Sequence, residues 1–256
     1  MGSATALRTS FAVLGCAAAA TVIYTVVTDG LPFRIELLTP WMAATLIDFY
    51  INVFAIGTWV VYKETNWILA VLWVVLLICF GSITTCWYIV LQFLKLSPAE
   101  SLQDPVYFVL LRRGNMNKAE RKMKSKSSVV IAKAVFIALG CLMLGTLIYT
   151  IVTDGSPFRR ELLTPWLSAT LVDFYVNVVA LSVWVAYKES TWLSAVCWIV
   201  LLICLGSFST CAYIVVQLFR LSSQDPISYV LFNTRNRRSE EGYEERLKED
   251  MSADDA

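Results

Sequence analysis

The chain has 256 residues, of which 57% are hydrophobic and 16% charged, with a net charge of +1, a mean hydropathy of +0.63 and no histidine. A soluble domain is about 45–50% apolar and about 25% charged, and a nucleic-acid binder carries a basic surplus, so the composition argues against both. The lack of histidine removes imidazole general bases, histidine-ligated haem and histidine-containing zinc sites.

Six segments are apolar and long enough to cross about 30 Å of hydrocarbon, which takes about 20 helical residues. The first covers 9–28. Its Ala17–Ala20 run resembles the end of a cleaved signal peptide, but a matching segment recurs inside the chain, so cleavage is not expected. Myristoylation is not expected either, because Ala6 stands where Ser or Thr is wanted. A loop with Asp-Gly and Pro turn signals follows at Asp29–Glu36. In it Arg34 and Glu36 form a candidate interfacial pair, although an ordinary turn is the stronger reading. The second segment covers 40–62 and the third 67–94, joined by Lys63-Glu64-Thr65-Asn66, whose Lys-Glu pair, repeated as Lys188-Glu189, reads as helix-end solvation. Next comes a polar, basic linker, 97–129, with Asp104-Pro105 as a helix N-cap signature and a short interfacial helix expected at Tyr107–Leu111. The fourth, fifth and sixth segments cover 130–153, 165–187 and 192–219, and a second short helix is expected at Ile227–Phe232. Residues 234–256 hold basic and then acidic residues without apolar periodicity, so a disordered tail is expected. Barrel strands alternate polar and apolar residues, and these runs do not. Helices satisfy their own backbone groups in lipid. Trp41, Tyr62, Trp67, Trp166, Tyr187 and Trp192 stand at segment ends, where an interfacial aromatic belt is expected.

A shift of 125 residues aligns 11–96 with 136–221 without a gap, with 53 of 86 positions identical. The division is therefore 1–96, first membrane repeat; 97–129, linker; 130–221, second membrane repeat; and 222–256, short helix and tail. The fold expected is an all-α integral membrane bundle of six helices built from two three-helix repeats. If all three segments of a repeat cross, the second repeat is inverted relative to the first, a known transporter design, and inverted repeats are the favoured reading. Lys and Arg then divide ten to eleven between the two sides, which leaves orientation open. The competing reading is that one segment per repeat does not cross, so that the linker and the tail share a side.

The repeated run ATL-x-DFY-x-NV, WV-x-YKE-x-x-W, LLIC-x-GS-x-x-TC-x-YI resembles a plant family of multi-pass membrane proteins defined by a domain of unknown function, present here as two tandem copies. The resemblance implies membrane localisation and a duplicated unit, but no activity or ligand.

Asp48 and Asp173 each lie eight residues after Pro40 or Pro165, about 12 Å along a helix and near the centre of the hydrocarbon. A charged Asp there costs roughly 2.5–3.5 kcal/mol on insertion scales. Asn52 and Asn177 follow at i+4, and Thr45 and Thr170 precede at i−3, on the same helix face. These six residues are candidates for binding an ion, a proton or a small solute, and a purely structural polar clamp between helices is the bland counterpart. A second stripe recurs in each third segment: Thr85, Tyr88 and Gln92, and again Thr210, Tyr213 and Gln217. With Gly81 and Gly206 it favours close helix packing over a polar pathway wall. The seven cysteines lie in apolar segments without CxxC spacing and read as small apolar residues. There is no P-loop, GxGxxG, HExxH or GxSxG motif. The sequence thus points to a non-enzymatic membrane protein without cofactor or metal. The lipid bilayer is its partner, a small solute or ion is a candidate ligand, no nucleic acid is expected, and the oligomeric state is open. Transport or conduction through Asp48 and Asp173 competes with a structural or scaffold role.

Overall fold

The computed structural model describes residues 2–111, 125–221 and 227–232, and all regular structure in them is helical. Most of the basic linker, the segment Gln224-Asp225-Pro226 and the charged tail lie outside the described residues. The first repeat contains α1 (Gly2–Asp29), α2 (Pro40–Lys63) and α3 (Trp67–Leu94), followed by the short α4 (Pro98–Gln103) and α5 (Pro105–Leu110). The second contains α6 (Ser125–Asp154), α7 (Pro165–Lys188), α8 (Trp192–Leu205) and α9 (Ser207–Phe219), followed by a 3-10 turn at Ile227–Val230. Among the described residues, five helices are by length and composition long and apolar enough to cross a membrane: Gly2–Asp29, Pro40–Lys63, Trp67–Leu94, Val129–Asp154 and Pro165–Lys188.

The helix starts follow local chemistry. Thr39 and Thr164 accept hydrogen bonds from the backbone N–H groups of Met42 and Leu167, and Pro40 and Pro165 occupy the first helical turn, where a missing N–H costs nothing. Asp104 caps α5 by accepting from Tyr107 N at 3.1 Å.

The third segment of each repeat is not a through-helix. Gly81 has φ 50° and ψ −123°, and Gly206 has φ 58° and ψ −133°, a conformation open to glycine and strained for other residues. At both positions the chain folds back. Trp73 and Tyr88 are fifteen residues apart, which would separate them by about 22 Å along a straight helix, yet their ring centroids are 5.0 Å apart. Trp198 and Tyr213 repeat the contact at 5.0 Å. Thr84 Oγ1 donates to Leu76 O at 2.9 Å and Ser209 Oγ to Leu201 O at 2.8 Å, binding the two arms of each hairpin beside the turn. The arms of α3 are thus 67–80 and 82–94, and α8 and α9 are the equivalent arms of the second repeat.

This changes the parity of the fold. In each repeat one helix runs down the bundle, one runs back, and a hairpin enters and returns to the face it left. Trp166 Nε1 donates to Gly30 O at 3.2 Å, and Met42, Trp166 and Leu167 pack with Val26, Leu37 and Leu162. Both DG-x-PFR loops therefore lie on one face, the loop face. On the opposite face, which we call the terminal face, Tyr187 OH donates to Asp104 Oδ2 at 3.4 Å, and the rings of Tyr107 and Phe232 lie 5.2 Å apart. The repeats are consequently parallel, related by an approximate two-fold axis along the bundle. The inverted arrangement and the bundle of six through-helices are both corrected: among the described residues there are four through-helices (α1, α2, α6, α7) and two hairpins. The helices α2 and α7 form the centre, where Val53, Val60, Leu77 and Tyr88 pack with Val178, Val185, Leu202 and Tyr213.

Candidate functional site

The hairpin turns end mid-bundle, and each opens a half-helix whose first N–H groups lack helical partners. The partner comes from the other repeat. Ser207 N donates to Asp48 Oδ1 at 2.6 Å, and Ser82 N donates to Asp173 Oδ1 at 2.9 Å. Ser82 Oγ also donates to Asp173 Oδ1. Each carboxylate sits where the half-helix dipole favours negative charge. The glycine is required twice over, for its backbone angles and for the space: a Cβ on Gly206 would lie 2.8 Å from Asp48 Cγ, and one on Gly81 would lie 3.1 Å from Asp173 Cγ. Asp48 and Asp173 do not face one another; each crosses to the opposite hairpin.

One turn further along, Asn52 and Asn177 are fully buried. Thr210 Oγ1 donates to Asn52 Oδ1 at 2.7 Å, another link between repeats. The equivalent bond to Asn177 is not made, because Thr85 Oγ1 donates to Gly81 O at 3.4 Å instead. Both polar atoms of the Asn177 amide, and Asn52 Nδ2, have no hydrogen-bond partner among the described residues. An unsatisfied buried amide is costly, roughly 1–3 kcal/mol per group, and marks a place for water or a ligand. Ser82, Thr85, Ser207 and Thr210 are buried in the same layer. Thr45 and Thr170 take no part: their hydroxyls donate to Trp41 O at 2.8 Å and Trp166 O at 2.9 Å within their own helices. The structure brings Asp48, Asn52, Asp173 and Asn177 to this layer, but not the two threonines at i−3.

The second stripe divides. Thr85 and Thr210 belong to the polar layer. Tyr88 OH and Gln92 Nε2 donate to Glu64 Oε1 at 2.8 and 3.3 Å, and Tyr213 OH and Gln217 Nε2 donate to Glu189 Oε1 at 2.8 and 3.1 Å. These are ties from each hairpin's returning arm to the end of the preceding helix. The adjacent lysines are also structural. Lys63 Nζ donates to the carbonyls of Phe108, Val109 and Leu111 at 3.0, 2.5 and 2.5 Å. Lys188 Nζ donates to Tyr229 O at 2.8 Å and to Phe232 O. Reading Lys63-Glu64 and Lys188-Glu189 as helix-end solvation is therefore corrected. Lys63 is 8% exposed and the Glu189 side chain 7%. The available sequence signal was their recurrence with Tyr and Gln at fixed distances downstream.

In the loops Arg34 pairs with Asp29 at 2.8 Å and Arg159 with Asp154 at 2.9 Å. The partner is thus the acid at the preceding helix end, not Glu36 or Glu161, and such exposed pairs contribute roughly 0–1 kcal/mol. Cys86 and Cys211 are buried against Gly15 and Gly140, and all seven cysteines are free.

A helical bundle with long apolar helices, glycine-turned hairpins and carboxylates at mid-depth has the features of a multi-pass membrane protein. The chain belongs to the family of proteins of unknown function DUF1475, which matches residues 1–238. The match is a single one spanning both halves, so the duplication lies inside one family unit and is not a pair of tandem copies of it. No curated protein and no solved structure matches the chain.

Proposed function

We propose that the protein is a multi-pass membrane transporter of a small solute, ion or proton, with four crossing helices and two re-entrant hairpins. The observation that carries this reading is the polar layer at the hairpin turns, where Asp48 and Asp173 hold the opposite hairpins and the buried Asn177 amide is left without a partner. Irregular backbone at membrane depth is tolerated where it is buried in protein or lines a water-filled cavity. Broken half-helices at parallel repeats are a recurring way to build a solute site. In this reading water or solute enters beside Asn177 and Asn52, and loosening of an Asp–Ser contact lets one hairpin shift. The test is purified protein in vesicles, measured for proton flux under an imposed pH gradient and for swelling with glycerol and sugars. Flux lost in the Asp48→Asn, Asp173→Asn double variant, with the protein still folded, supports it; unchanged flux, or none in the unaltered protein, refutes it.

A structural or scaffold role is the second reading, favoured by the fact that both carboxylates are already engaged by backbone N–H groups. It predicts altered stability in the same variants and no flux in any form.

The orientation follows from the parallel repeats. Among the described residues, Arg34, Arg159 and Arg160 belong to the loop face, whereas Arg8, Lys63, Lys95, Lys133, Lys188 and Arg220 lie toward the terminal face. By the positive-inside rule the terminal face is the cytosolic one.

A further inference from the structure

A cavity of about 470 Å³ lies between the repeats on the terminal side of the polar layer, and its walls are apolar. It straddles the approximate two-fold axis, lined by equivalent pairs such as Phe11 with Phe136, Ala55 with Ala180 and Trp59 with Trp184. The threonine hydroxyls of the wall are turned to the protein: Thr58 Oγ1 donates to Ala55 O at 2.7 Å and Thr85 Oγ1 to Gly81 O. Trp184 Nε1 donates to Leu231 O at 3.2 Å, and Trp59 Nε1 is left as a single buried donor without a partner among the described residues. A water needs two to four polar partners to stay in such a space, and protein interiors leave few voids larger than a water molecule. An apolar occupant fits both conditions.

The position identifies the occupant. On α2 the lining runs from Phe54 to Tyr62, about 12 Å of helix, close to the roughly 15 Å depth of one leaflet, half of a ~30 Å core. Among the lining residues, Phe54 is 45% and Ile131 59% exposed on the outside of the bundle, so the apolar wall continues into the lipid-facing surface between α2 and α6. On the terminal face, α5 and the 227–230 turn supply Val109 and Val230 to the lining as a roof. The Lys133 ammonium stands 4.3 Å from the Phe219 ring centroid; two residues on from Ile131, it lies on another side of α6, toward α9 and away from this mouth.

We propose that this cavity holds one acyl chain of a membrane phospholipid, which enters sideways between α2 and α6 from the terminal-face leaflet. The site does not depend on transport. It makes the lipid a built-in wedge between the two repeats.

The experiment is native mass spectrometry of the full chain in detergent, after delipidation and titration with a palmitoyl-oleoyl phosphatidylglycerol or the matching phosphatidylcholine. One lipid per chain is expected to survive detergent removal. Ala180→Phe and Ala132→Phe each fill the cavity and are expected to cut retention at least tenfold, whereas Val13→Phe, on an exposed part of α1, leaves it unchanged. Thermal unfolding checks that each variant is folded, and Ala132→Phe, at the partly exposed mouth, serves if Ala180→Phe does not fold. Retention in the filled variants equal to that of the unaltered protein overturns the proposal. So does retention abolished by Lys133→Gln alone while the filled variants still bind, which would mean a headgroup contact without a buried chain. An unaltered protein that retains no lipid overturns it as well.

Discussion

Replacing Asp48 with alanine should damage the second repeat, not the first. Asp48 lies on α2, yet its carboxylate accepts the first N–H of α9 at 2.6 Å, and α9 has no side-chain cap of its own. Losing an N-cap costs about 0.5–2 kcal/mol, and leaving a buried N–H without a partner about 1–3 kcal/mol. These are two descriptions of one bond, so the expected loss is about 1–3 kcal/mol. At roughly 2–4 °C per kcal/mol for a chain of this size, the Tm falls by about 2–12 °C. The discriminating assay is amide hydrogen exchange. Asp48→Ala should deprotect the amides of 206–209 and spare those of 81–84, and Asp173→Ala should do the reverse. Asp48→Asn keeps an acceptor oxygen and should cost under about 1 kcal/mol of this capping. Deprotection of the hairpin in the same repeat, or of neither, would refute the crossed arrangement.

Other consequences follow from the same contacts. Gly206→Ala puts a Cβ against Asp48 and forces a strained backbone, about 1–3 kcal/mol, whereas Gly145→Ala, which meets open space within α6, should be neutral or stabilise by up to about 1 kcal/mol; comparing the two melting temperatures checks this. Lys63→Met removes the donor to three carbonyls at the end of α5, where hydrogen bonds to a charged group contribute about 1.5–3 kcal/mol; faster proteolysis at 104–111 with an intact polar layer is the expected result. Glu189→Leu leaves Tyr213 OH and Gln217 Nε2 without their acceptor and should release the returning arm of the second hairpin, seen as faster exchange across 213–219 and no change across 88–94.

The apolar segments and the duplication were legible because each depends on local composition or exact recurrence. The reversal at Gly81 and Gly206 was not. A run such as 67–94 carries no charged residue and is mostly apolar, and one glycine in a long apolar helix is tolerated more often than it is a turn. What turns the chain is a carboxylate on the other repeat, a contact more than ninety residues away in sequence. With the reversal hidden, three crossings per repeat and inverted repeats are the favoured count, and it is the competing reading, with one segment per repeat that does not cross, that agrees with the fold. The same holds for Lys63 and Glu64: a charged pair beside a short polar connection looks solvated until α5 and the returning arm fold back over it. The Thr45 and Thr170 positions show the opposite error. Sharing a helix face with Asp does not make a partner when the hydroxyl can bond its own helix.

The central claim is that two parallel repeats each end on the face where they began. It is tested most directly by mapping four sites with glycosylation acceptors or a membrane-impermeant label: the two loops at 31–33 and 156–158, the linker at 112–124, and the tail beyond 234. The account predicts both loops on the non-cytosolic side and both the linker and the tail in the cytosol. Finding the linker and tail on opposite sides, or the two loops on opposite sides, would contradict it.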